Sequence, residues 1–324
     1  MVEIKKIDAH GHFGGSFLGP ESSIPRYIVE ARKLGIVATI ASPGPAPEIV
    51  ENGRMIRPCL WEVNGKTINY FRQEIDLSTG EEQKRDSENN PYHEVNLSLI
   101  EEASKYNQGI NGYKILVMPI HHPILDTADE VQLLLSLEDT VALKIHGIAT
   151  FTGPQDIPHS TIGSLHKVGK PVVVHTDMYR GKITNDIHTA YRLNDPVLWV
   201  NWARESGVKT LITHGARLSH KALDLIGQTP NAVVGLSPDL LLTAEPDRLD
   251  HSTDEFLYEL FTSVSPEKIV FDVDYGWNVS ERNQWDKLDW QVCERVNRVA
   301  DRVGLSQQDL EKVYYLNAVR FYNI

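Results

Sequence analysis

Eight short apolar segments recur along the chain, each followed by residues with helical patterning. They are Ile4–Ala9, Val37–Ala41, Tyr113–Met118, Val141–His146, Pro171–His175, Lys209–His214, Ala232–Leu236 and Lys268–Asp274. Alternation of this kind predicts βα units and a parallel sheet, hence an α/β protein. Runs such as Val172-Val173-Val174 and Leu211-Ile212 have the near-continuous aliphatic character of strands covered on both faces. Gly169-Lys170-Pro171, Gly207-Val208-Lys209 and Pro266-Glu267-Lys268 mark helix-to-strand turns. Eight such units suit a closed (β/α)8 barrel. An open doubly wound sheet would also alternate, but it usually places a glycine-rich phosphate loop after its first strand. Here the first segment runs into Asp8-Ala9-His10-Gly11-His12. A barrel needs roughly 250 residues plus insertions, so residues 1–324 are read as one domain.

The second connection breaks the rhythm. Residues 42–112 separate the second and third segments, far more than a crossover helix requires. Within them Asn64-Gly65 is flanked by strand-like runs, a strong signal for a two-residue hairpin turn. A β-hairpin over Cys59–Phe71 is therefore expected, with a helix over Glu94–Tyr106 and a polar loop over Ser78–Pro91. This insertion, about 51–110, is placed between strands 2 and 3 at the barrel mouth, where it would shape access.

Composition narrows the partners. The formal net charge of -12 repels phosphate backbones and anionic membrane faces, which argues against nucleic acid and membrane. A small-molecule partner is expected instead. Cys59 and Cys293 belong to no Cys-x-x-Cys pair, so neither a thiolate zinc site nor a disulfide framework is expected. The start of the chain lacks the apolar core of a signal peptide, and no run reaches about 18 apolar residues. A soluble, cytoplasmic protein is the expectation.

The chemistry lies in where histidines and acids fall. Five of the eight segments end in or beside a metal-competent group: His10 and His12, Lys144 and His146, His175, His214, and Asp274. In a barrel, C-terminal strand ends converge on one open face. Side chains at i and i+2 of a strand point the same way, so His10 and His12 could serve one ion. Imidazoles with a carboxylate suit zinc and similar divalent ions. A lone buried histidine is more often a hydrogen-bonded core residue, and it is the ordered set that favours ligation. His159, His166, His188, His220 and His251 are read as exposed. His121 and His122 could line the mouth. Arg180 and Arg217 could hold a substrate carboxylate and Trp277 could form an apolar wall, although each is more often a plain loop residue.

These segments resemble those of a known family. Asp8-Ala9-His10-Gly11-His12 is similar to a first-strand D-x-H-x-H motif, Val173-Val174-His175-Thr176 to a fifth-strand histidine segment, and Leu211-Ile212-Thr213-His214-Gly215 to a sixth-strand one. Ile269-Val270-Phe271-Asp272-Val273-Asp274-Tyr275 is similar to an eighth-strand segment carrying an aspartate, and Asn317-Ala318-Val319-Arg320-Phe321 to a closing helix. The family is the amidohydrolase superfamily, in its amidohydrolase-related branch, and the resemblance spans essentially the whole chain. Two departures stand out: Gly276-Trp277 replaces the usual proline, and Asp272 stands where glycine is common.

The resemblance implies a TIM barrel and a zinc-class divalent ion held by His10, His12 and His175. Asp274 would join the ion and handle the proton of its bound water. His214 would bind a second ion or act by hydrogen bond. Lys144, if carbamylated, would bridge two ions; as an ordinary ammonium it would leave one, and one is favoured. The implied reaction is metal-dependent hydrolysis of a C–N bond (amide, lactam or amidine) or an ester of a small molecule. A non-hydrolytic decarboxylase or hydratase on the same ligands is the alternative, and a non-enzymatic binding protein a third. Members of the family are commonly homo-oligomers.

Overall fold

A computed structural model describes residues 4–13, 24–44, 49–51, 54–64, 67–76, 78–86, 90, 92–109, 112–150, 152–176, 193–236, 253–274 and 291–324. The strands among them are β1 (Lys6–His12), β2 (Ile36–Ser42), β3 (Ile49–Glu51), β4 (Arg54–Asn64), β5 (Thr67–Asp76), β6 (Glu82–Asp86), β7 (Lys114–Val117), β8 (Leu143–Ile145), β9 (Val172–Val174), β10 (Thr210–Ile212), β11 (Ala232–Gly235) and β12 (Ile269–Val270). All eight expected segments contribute a strand. β1, β2 and β7 pair in parallel in that order, and so do β8 through β12. Backbone bonds tie the two sets together. Val141 N donates to Val117 O at 2.9 Å and His121 N to Lys144 O at 2.8 Å. On the other side, Ala9 N donates to Phe271 O at 3.1 Å and Asp274 N to His10 O at 2.8 Å.

The helix-to-strand turns follow the sequence. Helices His159–Val168 and Pro196–Ser206 stop at Gly169 and Gly207, with φ of 68° and 71°, a left-handed backbone that costs glycine little. The strands after them begin within a few residues. Among the described residues no helix is long and apolar enough to cross a membrane.

Alternate strand residues sort into two apolar clusters. Ile7, Ala9, Ile40, Leu116, Met118, Ala142, Val173, Leu211 and Val270 pack together, joined by Phe321 and Tyr322 of the last helix, Asn317–Tyr322. The intervening residues, among them Ile115, Leu143, Ile145, Val172, Val174, Ile212, Val234 and Phe271, pack against the helices. Period 2 thus gives each strand one face toward its fellow strands and one toward the helices.

β1 breaks this period usefully. Asp8 pairs with Thr39 and Gly11 with Ala41, so three steps on β1 oppose two on β2. The extra residue is a β-bulge, which re-aims the side chains beyond it. Ile7 and Ala9 lie in the first cluster before the bulge; His10 and His12 take over that side after it, and Phe13 turns to the helices.

β3 to β6 form a separate antiparallel sheet in sequence order. Within it Asn64 pairs with Thr67, so Asn64 belongs to the strand. The expected turn falls in part on Gly65, which with Lys66 lies outside the described residues. Ser78–Pro91 is not wholly loop, because β6 falls inside it and pairs with β5 from Phe71↔Asp86 to Ile75↔Glu82. Asp76 makes the turn, its Oδ1 accepting from Ser78 N at 2.8 Å and Thr79 N at 3.2 Å. The run Glu82–Asp86 hides its strand character because charged residues are what an edge strand tolerates.

Candidate metal centre

The ends of β1, β8, β9, β10 and β12 bring the expected polar groups together in a buried region. His10 and His12 project from β1 beyond its bulge. Asp274 follows β12 and adopts φ of 49°, a left-handed backbone uncommon outside glycine. Its position is fixed by the bond from its own N–H to His10 O and by Asp8. The buried Asp8 carboxylate accepts from Val273 N at 2.9 Å and His10 N at 3.3 Å, and from the Tyr27 hydroxyl. Asp8 therefore locks β1 to the segment that carries Asp274. Neither Asp8 nor Asp272 was singled out as functional from the sequence. The alternation that places Asp272 with Asp274 was the available signal.

Asp274 Oδ1 lies 3.5 Å from His10 Nδ1 and 3.3 Å from His12 Nε2. One donor atom from each of these three residues lies within 4.8 Å of the others, the geometry of a tridentate cation site. His175 stands apart from this trio. Its Nδ1 is 2.8 Å from His214 Nε2, and its ring stacks on His146 at 3.9 Å and 13°. His214 connects the two groups, its ring centroid 5.9 Å from that of His10 and 4.5 Å from that of His175. Lys144 is fully buried, and its Nζ sits 2.7 Å from His10 Nε2.

The electrostatics suit a cation. Burial, with Lys144 and neighbouring imidazoles adding to it, holds His10, His146 and His175 well below the ordinary histidine range. Neutral rings keep a lone pair for a metal. Burial alone would raise the Asp274 carboxyl, but His10, His12 and His214 outweigh it and hold it well below the ordinary carboxylate range. Asp274 Oδ1 and His175 Nε2 are buried without a hydrogen-bond partner among the described residues. Buried acceptors left in this state are exceptional in native proteins and ask for a partner. A divalent ion of zinc type fits that donor set of imidazole and carboxylate.

The remaining expected residues divide. His121 and His122, which could line the mouth, are completely buried. His121 Nδ1 is 2.6 Å from Asp126 Oδ2, which also accepts from His122 N at 2.8 Å, so the pair braces the loop after β7. His159, His166 and His220 are exposed, as expected. Arg217 is half-buried in the left-handed turn after His214. Arg180, Trp277, His188 and His251 lie outside the described residues.

No protein-family model and no curated protein matches the sequence. Solved structures do. The chain is similar to an amidohydrolase from Burkholderia multivorans with bound HEPES, at 12% identity and a TM-score of 0.54, with 99% of each chain covered. It is similar to enamidase, described as a member of the amidohydrolase superfamily, at 14% identity and a TM-score of 0.58, covering 99% of this chain and 68% of that one. It is also similar to apo Metarhizium anisopliae IDCase, at 10% identity and a TM-score of 0.54, covering 98% and 97%. The parallel α/β fold of this chain is thus the fold of solved amidohydrolase-superfamily structures.

Proposed function

We propose that the chain is a metal-dependent hydrolase acting on an amide, lactam, amidine or ester bond of a small molecule. The eight parallel strands are read as one (β/α)8 TIM barrel, with β3–β6 an insertion at its mouth. The bonds that tie β7 to β8 and β12 to β1 support that reading. One observation carries the functional reading: His10, His12 and Asp274 offer donors within 4.8 Å, and Asp274 Oδ1 is buried without a hydrogen-bond partner among the described residues. A divalent ion held there would supply an acidified water and polarise a carbonyl.

The chain's own groups then divide the work. Asp274, kept ionised by the imidazoles around it, can accept a proton at Oδ1 and return it to a leaving group. His214 holds His175 in register through the 2.8 Å bond and can hydrogen-bond a substrate oxygen. His175 completes the ligand set if its Nε2 turns to the ion. Burial excludes bulk water, which strengthens these interactions. Arg180, Arg217 and Trp277 remain candidates for substrate contact.

The test is metal analysis of protein purified without added metal, beside the single variants His12→Ala and Asp274→Asn. One zinc-class ion per chain is expected in the wild type, with at least tenfold weaker retention in both variants. Metal retained equally by all three would sink the site. Substrate panels then separate the chemistries: a hydrolase releases an acid from an amide or ester, whereas a decarboxylase releases CO2 from a free acid.

A two-ion reading has one observation in its favour. Burial brings the Lys144 amine down to about 7, leaving a large neutral fraction able to take up CO2. Two ions per chain, falling to one or none in Lys144→Ala, would establish it. The 2.7 Å contact from Lys144 to His10 favours the plain amine and one ion.

A further inference from the structure

A side chain closes the bulge in β1. Ala9 and His10 together face the single Ile40, between the pairs Asp8↔Thr39 and Gly11↔Ala41. Across the extra residue Asp8 Oδ1 accepts from His10 N at 3.3 Å, the turn that an aspartate makes with the backbone two residues on. The same oxygen accepts from Val273 N at 2.9 Å, one residue before Asp274. The His10 carbonyl accepts in turn from Asp274 N at 2.8 Å. One acceptor atom thus joins the backbones of both halves of the candidate cation site: the bulge that carries His10 and His12, and the left-handed turn that carries Asp274.

The other oxygen is held from the opposite side. Oδ2 accepts from the hydroxyl of Tyr27, on helix Ile24–Lys33. Tyr27 accepts from Thr39 Oγ1 at 3.0 Å, and Thr39 Oγ1 meets the Tyr113 hydroxyl at 2.6 Å. Thr39 has one proton and gives it to Tyr27, so Tyr113 is the donor in the last contact. All four side chains are buried. Each hydroxyl in this chain both donates and accepts, so the chain can also run in reverse and receive an N–H where Asp8 Oδ2 now stands.

We propose that Asp8 is a positioning residue whose Oδ1, as a hydrogen-bond acceptor and not as a charge or a ligand, sets the β1 bulge and the Asp274 turn at the spacing one cation needs. This rests on the metal-centre reading above. Groups behind the ligands that fix their placement typically account for about 10–100-fold in metal affinity.

The experiment is a zinc titration of the metal-free full chain against a chromophoric chelator, for wild type, Asp8→Asn, Asp8→Leu and Tyr27→Phe. Absorption of the cobalt(II)-loaded proteins reports ligand geometry beside it. Asp8→Asn removes the charge but keeps Oδ1, and the reversible hydroxyl chain takes its amide. Its zinc affinity and cobalt bands should match wild type. Asp8→Leu keeps the volume and removes the acceptor, so zinc should bind about 10–100-fold more weakly and the cobalt bands should shift. Tyr27→Phe removes only the donor to Oδ2 and should weaken zinc about 2–10-fold, which keeps the test decisive if Asp8→Leu does not fold. Zinc lost as heavily in Asp8→Asn as in Asp8→Leu would make Asp8 a charge or a ligand and overturn the inference. A lower urea midpoint of the metal-free form with wild-type zinc affinity, in Asp8→Leu or in Tyr27→Phe, would reduce the network to stability alone and overturn it too. A wild-type chain that binds no zinc sinks the metal-centre reading itself, a result distinct from both.

Discussion

Lys144 spends stability to stand where it does. Burial brings its pKa to about 7, against 10.5 for an ordinary lysine, while Asp274 and Asp272 pull the other way. Between those two values the unfolded chain carries the proton and the folded chain largely does not. Unfolding therefore takes up a proton, and stability rises as pH rises through that window. For one proton the slope is at most about 1.4 kcal/mol per pH unit. Metal-free wild type should gain about 2 kcal/mol relative to Lys144→Met between about pH 7.5 and about pH 9.5, read from urea unfolding at each pH. Parallel curves for the two proteins would mean that Lys144 titrates like a surface lysine. At this scale the sequence was informative about residue type: donor atoms of His10, His12 and Asp274 lie within 4.8 Å of one another, while His175, expected with them, stands apart. It marked Asp8 as part of the D-x-H-x-H segment and Asp272 as a departure from glycine but gave neither a role, because the partner of a buried aspartate is known only once the strands beside it are placed.

The element that delivers His214 is a turn, not a strand. β10 stops at Ile212, and His214 through Leu218 all have φ between 50° and 55°. For residues other than glycine this region costs about 1–2 kcal/mol each, and such strain gathers at functional sites. Gly215 is the second residue of the turn and has no room to spare, because a Cβ there would run into the Phe256 ring. Gly215→Ala should cost about 2–4 kcal/mol, from the left-handed backbone and the overpacking together, seen as a lower urea midpoint. Adding Phe256→Ala should relieve the clash at the price of a cavity, and the double variant should fall short of the sum of the two singles. Full additivity would show that the ring is not what glycine avoids. Bulge and turn share one lesson about legibility. Period 2 read forward from Ile7 puts His10 on the helix side of β1, and only the extra residue opposite Thr39–Ala41 corrects it. That pairing is set by a partner strand some thirty residues away, which no local pattern in Asp8–His12 reveals. The charged strand Glu82–Asp86 was hidden for the complementary reason, since edge residues carry no apolar signature.

At the scale of the molecule, the last helix closes what the first strand opens. Phe321 and Tyr322 pack in the same cluster as Ile7, Ala9, Leu116, Val173, Leu211 and Val270, and the Tyr322 hydroxyl donates to Ala9 O at 3.0 Å, next to His10. Asn317 holds the helix to the chain entering β12, its Nδ2 donating to Pro266 O and Ile269 O, both at 2.7 Å. Lys209 fastens the far end, with Nζ 2.8 Å from Asn323 Oδ1. The C-terminus is thus joined to β1, to β10 and to β12, which argues that site and scaffold unfold as one unit. Phe321→Ala removes a buried ring from this cluster and should cost about 3–5 kcal/mol. Unfolding should remain a single transition, with tryptophan fluorescence and far-UV circular dichroism falling together. Zinc, by binding only the folded chain, should raise the midpoint of the variant by the same free energy as that of wild type if their affinities match. If the helix were an appendage, Phe321→Ala would instead split the transition, with an early loss of helix signal and a later one at the wild-type midpoint. That outcome would place the end of the chain outside the cooperative unit that carries His10, His12 and Asp274.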